Sequence, residues 1–367
     1  MRRHWKVAFA FASLATCVAT RTARAAPMDP VPDRFYLNPP GEANCQIATT
    51  AASYQACLPN NVSWSNMMSE LGYAIAPTAF HPARTTGFGG FALSFEASFA
   101  HINADATDKT GTQYWHVGTQ GDVNPNTNAF SGVNKYPDSI LQIYSLKARK
   151  GLPFGLEIAG SLGYLANTSL WIGGADLHWS ILEGFRTGIL GYLPDIAIGG
   201  GVRTVGGSSD FFLTTVGIDG QISKPFTLAD SAVLTPYVGV QRLIIYADST
   251  VVNLAPTVDP LSVCGYEGTN VPGNPNVPNG GVGGSYTGAP VCKNGGSSSN
   301  AFNNLTTLQK DTIDRWRGIA GLTYRYEILY LAGQFAMDLE EPSAENANLG
   351  VSGSKQWTMS FEAGVSF

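Results

Sequence analysis

Charge is scarce in this 367-residue chain: Asp, Glu, Lys and Arg together make up 13%, about half the roughly 25% of soluble domains. Long hydrophobic runs are missing too. No window offers the roughly 18 consecutive apolar residues that a membrane-spanning helix needs, which excludes a helical membrane protein. The net charge of -5 gives no reason to expect nucleic-acid binding. Histidine is rare, with five residues, and none stands beside the cysteines. No nucleophile elbow, phosphate loop or zinc signature occurs. The usual sequence supports for hydrolytic, nucleotide-dependent or metal catalysis are therefore missing, and neither a cofactor nor a metal is expected.

What is abundant is glycine, with 42 residues, and aromatics at 11%. Low charge with many glycines and aromatics, and no spanning helix, suits a membrane β-barrel, whose strands alternate in polarity instead of running apolar. Residues 1–25 read as a secretion signal. Arg2, Arg3 and Lys6 form the positive region, Val7 to Val18 the apolar one, and Ala23-Arg24-Ala25 the cleavage site. Cleavage falls after Ala25 or Ala26. The exported chain then holds Cys45, Cys57, Cys264 and Cys292, an even number that favours two disulfides. Cys45–Cys57 and Cys264–Cys292 is the economical pairing, since each closes a local loop.

Beyond the signal, the sequence divides into an N-terminal segment, 26–87, and a strand-rich part, 88–367. The last strand alternates strictly: Trp357, Met359, Phe361, Ala363, Val365 and Phe367 fall on one face, Thr358, Ser360, Glu362 and Ser366 on the other. The first does the same with Phe91, Leu93, Phe95, Ala97 and Phe99. Eight further strands are predicted at 140–149, 154–166, 168–181, 194–206, 211–224, 232–247, 312–326 and 328–340. With a periplasmic N-terminal side, the connections after odd strands lie outside and include the longest, 103–139 and 248–311. Those after even strands are short, the organisation of bacterial barrels. At ~2.6 Å of height per tilted residue, Trp357 to Phe367 and Phe154 to Tyr164 each span ~26 Å, and Trp171 to Trp179 ~21 Å. Those heights match the apolar band between two aromatic girdles. The expected fold is all-β, a single antiparallel transmembrane barrel of about ten strands.

The terminal strand, from Trp357 to Phe367, resembles the signal that the barrel-assembly machinery reads in Gram-negative outer-membrane barrels. Phe361, Val365 and Phe367 are the residues that carry the resemblance. It implies an outer-membrane location, with the assembly machinery and membrane lipid as partners, but no particular activity. A monomer is expected.

The predicted lumen face holds Glu96, Lys147, Arg149, Glu157, Asp176, His178, Arg203, Asp219, Arg315, Arg317, Arg325, Asp338, Glu340 and Glu362. Simple hairpin register pairs Arg317 with Asp338, Arg315 with Glu340, and Lys147 with Glu157. Eight strands are just filled by side chains and about sixteen leave a channel, so about ten with paired charges should be largely occluded. The leading reading is therefore a structural or transport-related barrel without catalysis. The alternative is selective passage of a small or hydrophobic molecule, gated by residues 27–87. Asn61 or Ser63 could cap a helix there that runs to Ala76, with Trp64, Met67, Met68 and Leu71 on one face. This segment could plug the lumen, as in fatty-acid transporters of the outer membrane, or cap the periplasmic mouth. A barrel enzyme comes third. His178 shares a face with Asp176, but at or below mid-membrane. Asp210, Asp338 and Glu340 at the outer rim have no histidine beside them, and His101 and His116 form no recognisable dyad. Loop 248–311 is rich in Gly, Asn, Pro and Ser, which suits a hydrophilic surface loop.

Overall fold

In a computed structural model the structure describes residues 26–40, 44–46, 56–78, 82–122, 132–184, 193–229, 232–256, 264–266, 290–292 and 304–367. The proposed signal, 1–25, lies outside them.

Ten long strands form one closed antiparallel ring. They are β1 (Phe91–His101), β2 (Ile140–Gly151), β3 (Leu156–Leu165), β4 (Trp171–Leu182), β5 (Asp195–Gly206), β6 (Phe211–Ser223), β7 (Ala232–Ser249), β8 (Asp311–Tyr326), β9 (Leu329–Asp338) and β10 (Trp357–Ser366). Each pairs with its neighbours in sequence, and β10 closes on β1. The seam runs to the last residue: Phe91 and Phe367 exchange backbone hydrogen bonds of 3.1 and 2.8 Å. Closure removes the sheet edges, so backbone groups along the ring find partners without water. A short strand, Phe226–Ala229, adds a hairpin to the start of β7.

Side chains alternate as the period of two requires. On β10 Thr358, Ser360 and Glu362 are buried in the lumen, while Met359, Phe361 and Ala363 face out. The outer surface is a continuous apolar belt, with Leu162, Leu177, Ile198, Ile218, Val238 and Leu331 among its exposed residues. Trp179 and Phe154 mark one rim of it and Trp171 and Tyr164 the other; the Trp171 and Tyr164 rings meet edge to face at 5.7 Å. Strands β1, β7 and β9 end, and β2, β8 and β10 begin, at one end, here called the loop end. Connections 152–155 and 327–328 lie at the opposite turn end.

The N-terminal segment does not stand beside this ring. Residues 26–40, 44–46 and 56–60 cover the loop-end mouth. Asp29 takes the Ser169 amide at 2.6 Å, Val31 donates to Gly118 at 2.8 Å, and the Cys57 amide donates to the Asn304 side chain at 2.8 Å. Cys45 and Cys57 are joined by a disulfide. Cys264 and Cys292 stand opposite each other in a ladder of three residue pairs, but their side chains lie outside the described residues. From the cap the chain turns into the barrel as helix α1 (Asn61–Ala74). Its N-cap is Asn60, whose side chain accepts the Ser63 amide at 3.1 Å. The cap is thus one residue before Asn61, and Ser63 is the residue being capped.

Candidate functional site

The lumen is filled by the chain's own N-terminal segment. Helix α1 descends from the loop end, and residues 75–78 and 82–86 follow toward the turn end ahead of β1. The helix carries an apolar stripe, Trp64, Met67, Met68 and Leu71, packed in one cluster with Phe35, Trp115, Phe211 and Ile245. Trp64 sits edge-on between Phe35 and Phe211, with ring centroids 6.2 Å apart on both sides. Yet Ser63, Ser65, Asn66, Ser69 and Glu70 are buried as well. A helix buried on every side, with polar residues on several of them, needs polar walls around it.

Those walls exist. Glu70, 2% exposed, accepts four hydrogen bonds. They come from the Asn103 amide and side chain, both at 3.0 Å, and from the Tyr114 hydroxyl and Trp115 indole, both at 2.7 Å. Asn103 and the short helix α2 (Tyr114–Val117) belong to the first long loop, so Glu70 ties the plug to that loop. Burial, and after it the Glu70 charge, pushes the Tyr114 hydroxyl above the ordinary phenol range, keeping it a donor. Ser65 donates to Asp311 at 2.5 Å, Ser63 donates to Asp108, and the Trp64 indole donates to the Gln309 carbonyl at 3.0 Å. Gly72 lies so close to β7 that a Cβ there would come within 2.3 Å of Ile245.

Deeper, the barrel's arginines converge on the plug. Arg315 pairs with Asp338 and donates to the Ser69 carbonyl at 3.1 Å. Its guanidinium lies 4.4 Å from the centre of the Tyr73 ring, and that of Arg317 lies 5.4 Å from it. Arg317 donates to the Pro77 carbonyl at 2.5 Å and to Gln241 at 2.7 Å. Lys147 donates to the Thr78 carbonyl at 3.2 Å, and the Thr78 hydroxyl donates to Glu96 at 2.9 Å. Glu96 faces Glu362 across the seam, and the Tyr330 hydroxyl donates to Glu362 at 2.5 Å.

Two of the three simple cross-strand pairs are therefore corrected. Arg315 bonds Asp338, not Glu340: strand β9 ends at Asp338, and Glu340 is exposed beyond it. Glu157 meets Arg149 at 3.5 Å, not Lys147. The β2–β3 turn is wider than the minimal hairpin assumed, so Gly151 stands opposite Glu157 and Lys147 opposite Ser161. Arg317 does stand opposite Asp338 in register, but its side chain reaches the plug. Arg203 and Asp176 form a bidentate pair of 2.9 and 2.8 Å. Arg325 is exposed at the turn end.

The residues considered for catalysis are dispersed. His178 lies 3.3 Å from the Ala83 carbonyl and 3.2 Å from the Gln221 amide, while Asp176 is engaged by Arg203. His116 meets Asp105 at 2.9 Å on the loop end, and His101 stacks on Trp357 at 5.6 Å. Asp210 is exposed on a loop-end turn.

Two interior voids beside the plug measure about 20 and 10 Å³, the space of about one water each. By contrast, the turn-end mouth opens on a vestibule of about 590 Å³. Its floor is the plug between Pro82 and Gly87, and Arg149, Arg325, Tyr330 and Val233 stand on its walls. Sequence reasoning missed Glu70, Tyr73, Pro77 and Thr78 as lumen residues. A glutamate in an otherwise uncharged helix was the one available signal.

No protein-family model matches the chain, and no curated protein sequence does. Among solved structures it is similar to Ail, the attachment invasion locus protein of Yersinia pestis. The two are 8% identical over 76% of this chain and 99% of that one, with a TM-score of 0.25. It is also similar to the outer membrane protein OprG from Pseudomonas aeruginosa (10%, 78% and 99%, TM-score 0.24). A third is the Acinetobacter baumannii outer membrane protein Omp33 (5%, 77% and 100%, TM-score 0.23). The ten-stranded fold itself is read from the closed ring of pairings.

Proposed function

We propose that the chain is an integral outer-membrane barrel of a Gram-negative bacterium, monomeric and non-catalytic, whose lumen is closed by its own N-terminal segment. The observation that carries this is the placement of residues 61–78 and 82–86 inside the ring, beside voids of about one water. The apolar outer belt suits a bilayer, because water would leave that surface uncovered while lipid does not. The outward-facing Phe361, Val365 and Phe367 suit the strand signal of the barrel-assembly machinery. In planar bilayers the intact protein should be silent, and a variant lacking residues 26–87 should conduct. A large, steady conductance of the intact protein would sink the closed-barrel reading.

A second reading, gated passage of a small molecule, is favoured by how the plug is held. Its loop-end half is anchored by an apolar cluster. Its turn-end half is held by polar contacts, among them Pro77, Thr78, Thr85 and Thr86. Hydrogen bonds exchange readily for others, whereas exposing an apolar cluster to water does not come cheaply. The turn-end half is thus the part able to shift while the helix stays docked.

A further inference from the structure

The vestibule has the size and the chemistry of a ligand site, at the place where a ligand would touch the movable half of the plug. We propose that it binds a small monocarboxylate with an apolar body. The inference rests on the gated reading above and names the class of molecule it would serve.

About 590 Å³ lies within the roughly 300–1,000 Å³ of small-molecule pockets. Among the described residues of its lining, cations outnumber acids: Arg84, Arg149 and Arg325 against Glu183 and Glu327. Glu183 is committed to the plug, taking the Thr85 amide at 2.9 Å and the Thr85 hydroxyl at 3.0 Å. Arg149 is 7% exposed and lies near Glu157, Glu362 and Tyr330, with one donor of its guanidinium still unused. Its contact with Glu157 is long, at 3.5 Å, because the other Glu157 oxygen accepts the Thr86 amide at 2.8 Å. The buried Arg149 Nε has no hydrogen-bond partner. A guanidinium in that condition, with its fork of donors, favours a carboxylate over a neutral ligand. Arg325 also lines the vestibule, opposite Tyr330 in the β8–β9 register, and is held by a 3.0 Å bond from its Nε to the Glu327 carbonyl.

The rest of the lining argues for the apolar body. Pro82, Pro225 and Val233 present hydrocarbon, and the Tyr330 ring lies 5.2 Å from the Arg149 guanidinium. A carboxylate on Arg149 would place its apolar portion along these walls. It would also sit against Thr86 and compete for the arginine that Glu157 now holds, which loosens the contact anchoring the plug there. Inorganic phosphate would gain the charge contacts but not the walls.

The test uses the full-length protein in lipid nanodiscs, titrated calorimetrically with sodium benzoate, benzamide and inorganic phosphate. Benzoate should bind, and the other two should bind at least about tenfold more weakly. Arg325→Gln, at an exposed position, should weaken benzoate by roughly tenfold or more. Thr235→Trp, which fills the vestibule from the β7 wall, should abolish binding. Arg149→Lys keeps the charge but loses the fork, and should also weaken it. No benzoate binding to the intact protein, or unchanged affinity in both Arg325→Gln and Thr235→Trp, overturns the site. Conductance measured alongside separates the two ideas. Binding without any change in conductance leaves the site standing and removes the gate, while conductance without benzoate binding keeps the gate and removes this ligand class.

Discussion

Glu70 is the sharpest place to test whether the plug is locked from the loop end. Its two oxygens each serve two donors, and the four donors differ in how well they survive its loss. The Tyr114 hydroxyl can rotate, and the Asn103 side-chain amide has a second acceptor in the Ser354 carbonyl at 3.4 Å. The Asn103 backbone amide and the Trp115 indole, both bonded to one Glu70 oxygen, are fixed donors. In Glu70→Leu those two are left buried and unsatisfied, at ~1–3 kcal/mol each, so the helix should lose about 4 kcal/mol of docking stability. Glu70→Gln is gentler. Its carbonyl can keep the two fixed donors and turn its NH₂ toward the two adaptable groups. Only the charge assistance is lost, about 1–2 kcal/mol. Native-state hydrogen exchange of the α1 amides in nanodiscs reads this directly. Protection should fall roughly a thousandfold in Glu70→Leu and about tenfold in Glu70→Gln, at 1.4 kcal/mol per factor of ten. Strand amides of the ring should be unmoved. Equal losses in the two variants, or a loss below threefold in Glu70→Leu, would refute the donor accounting.

Two further substitutions probe the same plug from other sides. Gly72→Ala should destabilise docking by about 1–3 kcal/mol because its Cβ meets Ile245 at 2.3 Å, partly offset by the better helix propensity of alanine. Faster proteolysis within residues 61–86 would report it, and Ile245→Ala in the same chain should restore protection. Arg315→Met strands the buried Asp338 carboxylate and should cost about 3–5 kcal/mol in guanidinium unfolding from lipid vesicles. The double variant Arg315→Met, Asp338→Leu should recover much of that loss. An equally unstable double variant would show that Arg315 acts through Tyr73 and Ser69 instead of its ion pair.

The ring was legible in the sequence because one physical constraint acts on every strand. A lipid face outside and a crowded polar face inside force a period of two, so patterns such as Trp357 to Phe367 carry their own register. The predicted strand ends fall within about three residues of the observed ones, since the connecting turns are rich in Gly, Pro and Asn. The ion pairs were harder to read. One cause is local: Phe154 and Gly155 both take positive φ, 63° and 71°, in a turn wider than the minimal hairpin, and the pairing of β2 with β3 moves with it. The other cause is not local at all. Lys147 and Arg317 are claimed by the Thr78 and Pro77 carbonyls, 69 and 240 residues away in sequence. No hairpin rule contains such partners.

The same reasoning explains why α1 could be recognised as a helix but not placed. Trp64, Met67, Met68 and Leu71 fix an apolar stripe that would suit a cap as well as a plug. What places the helix inside is the match of its remaining faces to groups scattered through the chain: Asn103, Tyr114 and Trp115 for Glu70, Asp311 for Ser65, Arg315 and Arg317 for Tyr73. Arg317, whose register neighbour Asp338 is taken by Arg315, needs another partner, or its burial goes uncompensated. Tyr73 and Pro77 supply it, as Thr78 does for Lys147. Plug and lumen are therefore complementary in polarity at these contacts, while Arg149 Nε, beside the vestibule, is one of several buried polar atoms left without a partner, Asp219 Oδ1 and Glu362 Oε2 among them.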